Sequence, residues 1–228
     1  MNRRKWLILT ALEMEAQAIS SELGGRAAFS DAPVPLAVPD VSLHLIGIKA
    51  VRIRPELFRQ FDVILLAGLG GALDPTLSIG DIVIDTTDPN IPSPGTPGEG
   101  QGEGLPFRHG KILTSDHMIS TIAEKALRFR ETGCIAVDME AAIVRPHSQS
   151  AGVPLLHIRA ISDTAAEALP ERISDWINDV GVPRMAQVTA DLAFHPHLIP
   201  AMIRIGNNSR IAARRLAQAV HQILGNQD

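Results

Sequence analysis

The chain has 228 residues, of which 45% are hydrophobic and 20% are charged, and its formal net charge is −4. The length suits one α/β domain with a large core, although two small domains also fit. The charge and the lack of a basic stripe argue against nucleic acid as a partner, and the single cysteine, Cys134, excludes an intramolecular disulfide framework.

The N-terminus carries basic residues before an apolar run, WLILTAL, and in this respect it resembles a signal peptide. The run is only seven residues long and meets glutamates instead of a small-residue cleavage site. We therefore expect a first buried strand. Since no apolar stretch approaches the length of a membrane span, the cytoplasm is the expected location.

Apolar runs that alternate with helical patterns predict a single-domain, three-layer α/β/α fold with a mixed, largely parallel central sheet. The predicted strands are residues 6–10, 41–48, 63–67, 81–86, 111–113, 134–137 and 154–161. The predicted helices are residues 13–23, a short one within 51–60, residues 117–131, and one that ends at Gly152.

The segment Asp88–Pro106 is rich in proline and glycine, which together make up ten of its nineteen residues. This composition excludes a helix or a central strand. Two interpretations stay open: a surface loop, or an active-site lid, because long structureless loops in compact domains are often functional.

Two of the predicted strands end at polar residues. The first is followed by Asp138, Met139 and Glu140, and the second by Ser162 and Asp163. Acids at the carboxyl ends of neighbouring strands converge at the edge where open α/β sheets bind ligands. Either acid alone is equally consistent with a helix cap, but the two together predict a ligand site.

Four segments resemble, in order, the signature of the purine and uridine phosphorylase superfamily, and most closely its methylthioadenosine/S-adenosylhomocysteine nucleosidase branch. They are LTALEMEA, AGLGGALDPTLSIGDIVI, VDMEAA and RAISDT, and the resemblance runs from about Lys5 to about Asp191. It implies a nucleoside phosphorylase-type fold, cleavage of the N-glycosidic bond of a purine nucleoside, a homodimer, and no cofactor. A noncatalytic nucleoside-binding protein of the same fold remains the alternative.

Cleavage of this bond needs an acid at the leaving base and a carboxylate at the sugar. The resemblance assigns the first role to Asp163, which would protonate N7 of the purine from a partly desolvated site, with Ser162 orienting it. It assigns the second to Glu140, which would accept hydrogen bonds from the ribose 2′ and 3′ hydroxyls. Met139 would pack against the sugar or base.

The nucleophile is either water or phosphate. The resemblance places Glu15, rather than Glu13, where the related nucleosidases hold the attacking water. The chain has no Gly-Asp-Pro-Leu-Arg type phosphate loop, which favours hydrolysis, but Arg52, Arg54 and Arg159 remain candidate anion ligands. The GIGK turn of the family is altered to GIKA in this chain.

The GLGG sequence at residues 68–71 is predicted to be a turn. A dinucleotide-binding fingerprint would lead into a helix, whereas LDPTLSIGD leads into another strand. We expect Gly68, Gly70 and Gly71 to bring the backbone close to the sugar or the nucleophile. Leu69 stands where the related nucleosidases have serine.

Three histidines are candidate functional residues. His117 occupies the position of a base-stacking aromatic in the family, and it is interpreted either as a stacking imidazole or as a partly buried spectator. His195 and His197 have no acidic or cysteine partners at ligand spacing, so no metal site is predicted.

Beyond Asp191 the sequence changes character, which predicts a domain over 1–191 and a C-terminal extension over 192–228. Residues 192–227 include four arginines and no acid. Ala212, Leu216 and Val220 lie on one face of a predicted helix. This helix is interpreted either as docked on the domain or as an amphipathic tail on an anionic membrane or a lipid-like substrate.

This tail, together with AVDMEAA and RAISDT, resembles the hopanoid-associated nucleoside phosphorylase subgroup. That resemblance implies a 5′-lipid-substituted adenosine, adenosylhopane, as substrate, and a peripheral contact with the inner face of the membrane.

Overall fold

The computed structural model describes residues 4–25, 32–86 and 105–225. The segment Asp88–Pro106 therefore lies almost entirely outside the described residues, and both interpretations of it stay predictions.

The described strands form one mixed sheet of nine strands in the order β2-β3-β1-β4-β9-β5-β6, with β8 beside β4 and β7 beside β8. The strands are β1 (Trp6–Thr10), β2 (Val34–Pro35), β3 (Val41–Leu45), β4 (Val63–Ala72), β5 (Ile82–Thr86), β6 (Phe107–His109), β7 (Ile112–Thr114), β8 (Ala136–Asp138) and β9 (Leu155–Asp163). The helices are α1 (Glu13–Glu22), α2 (Ile122–Thr132), α3 (Ala141–Ala151), α4 (Met185–Phe194) and α5 (Ile199–Gly225).

The central strands β3, β1, β4 and β9 run parallel, whereas β5 is antiparallel to β9 and β8 is antiparallel to β4. Alternate residues of β1 enter different cores: Ile8 packs with α1 and α5, and Leu7 packs with α3. Both faces of the sheet are therefore covered, and this is why these strands are apolar throughout. The predicted three-layer fold with a mixed sheet is confirmed.

Two predicted helices are shorter than expected. The helix predicted to begin at His117 begins at Ile122, because Thr121 caps it by accepting a hydrogen bond from the backbone N–H of Glu124 at 3.2 Å. Within 51–60 only a 3₁₀ helix forms, Pro55–Gln60, and it starts at the proline.

The prediction of a turn at residues 68–71 is wrong, because β4 continues through all four residues to Ala72. Both edges of this stretch are paired: Gly68 lies opposite Arg159 of β9, and Gly71 lies opposite Val137 of β8. A Cβ atom on Gly68 would lie 1.9 Å from Nη1 of Arg159. The glycines here make room for buried side chains and do not reverse the chain.

The C-terminal helix α5 is longer than the predicted one and divides into two parts. Its C-terminal part packs against α1 and the sheet, and it buries Leu216, Val220 and Ile223. Its N-terminal part leaves Ile199 and Ile203 exposed. The domain boundary after residue 191 stays a prediction.

No helix in the described ranges is both long enough and apolar enough to cross a membrane. The single cysteine, Cys134, is buried.

Candidate active site

A cavity of about 1000 Å³ lies where the carboxyl ends of β1, β4 and β9 meet the residues after β8. Seven of the residues predicted for the site line it: Glu15, Gly70, Gly71, His117, Met139, Glu140 and Ser162. The other three contact this wall from behind. Asp163 accepts a hydrogen bond from Ser162, Arg159 bonds Glu140, and Gly68 lies beside Leu69, another lining residue.

Arg159 joins the acids of the site. Its side chain lies in β9 and is fully buried. Nη2 donates to Oδ2 of Asp138 at 2.5 Å and to Oε2 of Glu140 at 3.0 Å, and Nε donates to Nε2 of His157 at 3.1 Å. Arg159 is thus an internal counter-ion, a role that the sequence analysis did not predict. Its partners are Asp138, which the sequence placed at the ligand edge of the sheet without a specific role, and His157, which was not assigned to the site.

In this cluster the pKa of Asp138 is lowered, whereas the pKa values of Glu140 and Arg159 are raised. Burial alone would raise the pKa of Asp138, but the charge of Arg159 and the contacts with His157 hold it far below its usual range. Burial raises the pKa of Glu140, although Arg159 opposes this. For Arg159, burial favours the neutral form, but the surrounding carboxylates outweigh it and raise its pKa.

Glu15 lies in the first turn of α1 and is 1% exposed. Its Oε2 accepts hydrogen bonds from the backbone N–H groups of Ala11 and Leu12 at 3.0 and 2.9 Å, and its Oε1 accepts one from Leu69 at 2.7 Å. Burial raises the pKa of Glu15 to about 7, against the charge of Arg159. A carboxyl group with this pKa is suited to accept a proton near neutral pH.

Glu140 is held by an unusual piece of backbone. Its Oε1 accepts a hydrogen bond from the backbone N–H of Lys49 at 3.1 Å. Lys49 and Ala50 both have positive φ angles, 56° and 51°, which are unfavourable for residues with a Cβ atom. They belong to the GIKA sequence. In the GIGK turn of the family that the chain resembles, a glycine stands at the position of Lys49. Such strain persists only where surrounding contacts impose it, and the bond to Glu140 is one of them.

Asp163 ends β9 and is 8% exposed, so the expected desolvated position is observed. Ser162 Oγ donates to its Oδ1 at 3.0 Å. Its Oδ2 lies 2.5 Å from Nζ of Lys125, a residue of α2 that the sequence analysis missed. The sequence did not identify Lys125, because a lysine on an amphipathic helix is usually exposed to solvent.

His117 lines the cavity but its side chain is 55% exposed, so the interpretation as a partly buried residue is wrong. Its ring nitrogens lie 2.7 Å from Asp116 and 3.0 Å from Glu124. These hydrogen bonds raise the pKa of His117. The reason for the exposure is that His117 precedes α2 instead of belonging to it.

The other candidate anion ligands lie outside the cavity. Arg52 forms a half-exposed ion pair with Asp179 at 2.8 Å, and Arg54 lies 4.0 Å from Glu56 on the surface. No group of three or more potential metal ligands occurs among the described histidine, cysteine and acidic residues.

The outer part of the cavity is mostly apolar, although Arg184 and Arg210 also line it. Its lining comes from the segment after β9, from α4 and from the first part of α5, and it includes Leu169, Ile173, Trp176, Val188, Met202 and Ile205. Trp176 is fixed by a hydrogen bond from its Nε1 to Asp191 at 2.6 Å. These residues were not among those predicted from the sequence for the site.

The family model of the phosphorylase superfamily matches residues 97–206. The futalosine hydrolase of Streptomyces coelicolor is 28% identical over 153 residues, which cover 54% of this chain and 65% of that protein. The chain thus spans a little under two thirds of this relative. The superfamily resemblance predicted from the four motifs is confirmed.

Solved structures show the same fold. A methylthioadenosine/S-adenosylhomocysteine nucleosidase from Neisseria meningitidis, in complex with methylthio-immucillin-A, superposes with a TM-score of 0.66 at 19% identity, covering 98% of this chain and 99% of that one. Futalosine hydrolase from Helicobacter pylori superposes with a TM-score of 0.61 at 18% identity, covering 98% of each chain.

The Arg159 cluster predicts a large stability effect. Arg159→Met would leave the carboxylates of Asp138 and Glu140 buried without their counter-ion, so it should lower the free energy of unfolding by about 3–5 kcal/mol. Arg52→Met removes an arginine from an exposed ion pair and should change the free energy of unfolding by less than about 1 kcal/mol. Urea unfolding of both variants measures the difference, and similar midpoints would contradict the account of the cluster.

Proposed function

We propose that this chain, which has the fold of the phosphorylase superfamily, cleaves the N-glycosidic bond of a purine nucleoside with an adenine-like base. The observation that carries the proposal is one cavity lined by Glu15, Glu140 and Ser162, with Asp163 directly behind the wall and hydrogen-bonded to Ser162. The motif resemblance assigns Glu15 to the nucleophile, Glu140 to the ribose and Asp163 to the base. The relatives named as nucleosidases and as futalosine hydrolase support a reaction of this class.

The base and the ribose meet different carboxyl groups. Asp163, oriented by Ser162, protonates N7 of the purine, so that the base leaves as a neutral molecule. Glu140 accepts hydrogen bonds from the ribose hydroxyls. Its charge also stabilises the positive charge that develops on the ribosyl carbon as the bond breaks.

Water is the proposed nucleophile. Glu15, with its pKa near 7, takes a proton from the attacking water. A phosphate dianion in the same place would lie beside several carboxylates. The cation nearest to them, Arg159, is already paired with Asp138 and Glu140. Burying further negative charge here carries a large desolvation cost.

Release of the free base tests the proposal directly. Chromatography should detect adenine released from several 5′-substituted adenosines without added phosphate. Asp163→Asn should lose on the order of 100-fold in turnover, because an amide cannot protonate N7, while the variant still binds adenine. Near-normal turnover of this variant would contradict the acid role, and a lack of base release by the intact protein would favour a noncatalytic binding protein.

The role of Glu15 predicts a pH dependence. Because the pKa of Glu15 is raised to about 7, the group is protonated below this pH and cannot accept a proton there. The hydrolytic rate should therefore rise with pH through about 7. Glu15→Gln should abolish this rise and most of the activity, whereas Glu13→Gln, on the exposed side of the same helical turn, should keep the profile.

Rates at a series of pH values, with and without phosphate, decide this prediction. Strict dependence on phosphate with ribose 1-phosphate as product would overturn the hydrolytic proposal. An unchanged profile in Glu15→Gln would overturn the assignment of the base.

The substrate is proposed to carry an apolar 5′ substituent, such as the lipid of adenosylhopane. A cavity of about 1000 Å³ is larger than a plain nucleoside needs. The remaining space is bounded by apolar side chains, including Trp176, Met202 and Ile205. This shape agrees with the resemblance of the tail to the hopanoid-associated subgroup.

The proposed partner of the tail is an anionic membrane surface. Phe194, Ile199 and Ile203 are 82%, 42% and 60% exposed, and Met185 both lines the cavity and is 63% exposed. Arginines and no acids accompany these residues from 192 to 227. A lipid-linked nucleoside would then pass from the membrane into the cavity beside Met185.

Vesicle binding tests this surface without truncating α5, whose C-terminal part belongs to the core. The intact protein should bind phosphatidylglycerol-containing vesicles in a salt-sensitive way, each near-surface cation contributing about 1 kcal/mol. The double variant Phe194→Ser, Ile203→Ser should weaken binding by on the order of tenfold or more. It should also slow turnover of a long-chain adenosyl lipid more than that of a small nucleoside.

Val51→Ser is the control, because Val51 is 62% exposed and lies outside the tail. It should leave vesicle binding unchanged. Equal losses on both substrates, or no binding by the intact protein, would contradict the membrane proposal.

A further inference from the structure

Lys125 is fully buried, which is rare for a lysine side chain. Its Nζ donates to Oδ2 of Asp163 at 2.5 Å and to the backbone carbonyl oxygens of Thr164 and Glu167 at 2.8 and 2.9 Å. An ammonium group has three N–H donors, and these three acceptors use all of them. Lys125 is therefore held in place from three directions.

A purely structural role gives little reason for this arrangement. Burying an ion pair carries a large desolvation cost, and apolar residues of similar volume often replace such pairs without loss of stability. The partner of Lys125 is not an arbitrary acid. It is Asp163, the proposed acid for the leaving base, which lies behind the cavity wall and accepts a hydrogen bond from the lining residue Ser162.

We infer that Lys125 is a positioning residue for protonation of the leaving base and acts through Asp163, an inference that rests on the proposed function. Lys125 occupies Oδ2, so Oδ1 is the oxygen left for the base. Ser162 donates to the same Oδ1 at 3.0 Å and fixes its direction. On the other side, Oδ2 closely approaches the backbone at Gly71, where a Cβ atom would lie 2.9 Å from it. The carboxyl group is thereby held in one orientation.

The same contact also serves the chemical step. The proton on Oδ1 of Asp163 moves to N7, the electron pair of the C1′–N9 bond stays with the base, and Asp163 becomes a carboxylate. Before the transfer, Oδ2 accepts a hydrogen bond from Lys125, and after it the same contact is a full ion pair. The interaction thus strengthens as the reaction proceeds, without movement of either group, and this is the condition for it to accelerate the step. Solvent returns the proton to Asp163 after the base has left.

Lys125→Met tests the inference. On an adenine nucleoside, kcat should fall by tenfold or more while KM changes by less than about threefold. On a 4-nitrophenyl riboside with the same 5′ substituent, the rate should stay within about threefold, because this leaving group departs without protonation at N7. Arg128→Met is the matched control: Arg128 lies on the same helix, is 39% exposed and pairs with Glu131, so both rates should remain unchanged.

The melting temperature separates positioning from unfolding. If Lys125→Met does not fold, Lys125→Gln takes its place, because its amide keeps two N–H donors for the backbone carbonyls and loses the charge and the donor to Asp163. Equal loss on both substrates in a folded variant, or no loss on either, would overturn the inference.

If the intact protein releases no base from any nucleoside, the proposed function has failed instead. Calorimetry with adenine then decides the positioning role: weaker binding by Lys125→Met but not by Arg128→Met supports it, and equal binding overturns it.

Discussion

The site depends on one buried guanidinium group placed among acids from separate parts of the chain. Arg159 of β9 bonds Asp138 and Glu140, which follow each other at the end of β8, and its charge acts on Glu15 of α1. Leaving any of these charges unpaired in the interior costs several kcal/mol. The positions of β8, β9 and α1 are therefore mutually constrained. Gly68 is part of this constraint, because no side chain fits between β4 and the guanidinium group.

This arrangement gives different pKa values to acids that look alike in the sequence. Asp138 faces the guanidinium directly and stays ionised, whereas burial outweighs the same charge at Glu15 and raises its pKa to about 7. Carboxyl groups whose pKa values are pushed apart can take different roles in one reaction. The proposed proton acceptor thus owes its properties to its depth in the fold as much as to its residue type.

Two internal cations divide the cavity by function. Arg159 lies on the side proposed for the ribose and the nucleophile, and Lys125 lies on the side proposed for the base. Each is fully buried and each is paired with a carboxylate of the site. Outside this charged end, the walls from α4 and α5 are mostly apolar, so the proposed chemistry and the proposed binding of a 5′ substituent fall in different parts of one cavity.

Local patterns in the sequence determined the layered fold, the positions of the main strands, and the acids at their carboxyl ends. These features could be predicted because hydrophobic periodicity reflects which face of each element is buried. Motif order added the choice of Glu15 over Glu13. By contrast, only the tertiary structure decided that residues 68–71 are a strand and that Arg159 and Lys125 are internal counter-ions. Lys125 and Asp163 are 38 residues apart, and no local pattern encodes a contact over that distance. The physical reason is that an ion pair forms where the packed elements bring two side chains together. A local sequence pattern indicates only which residues of that segment are buried.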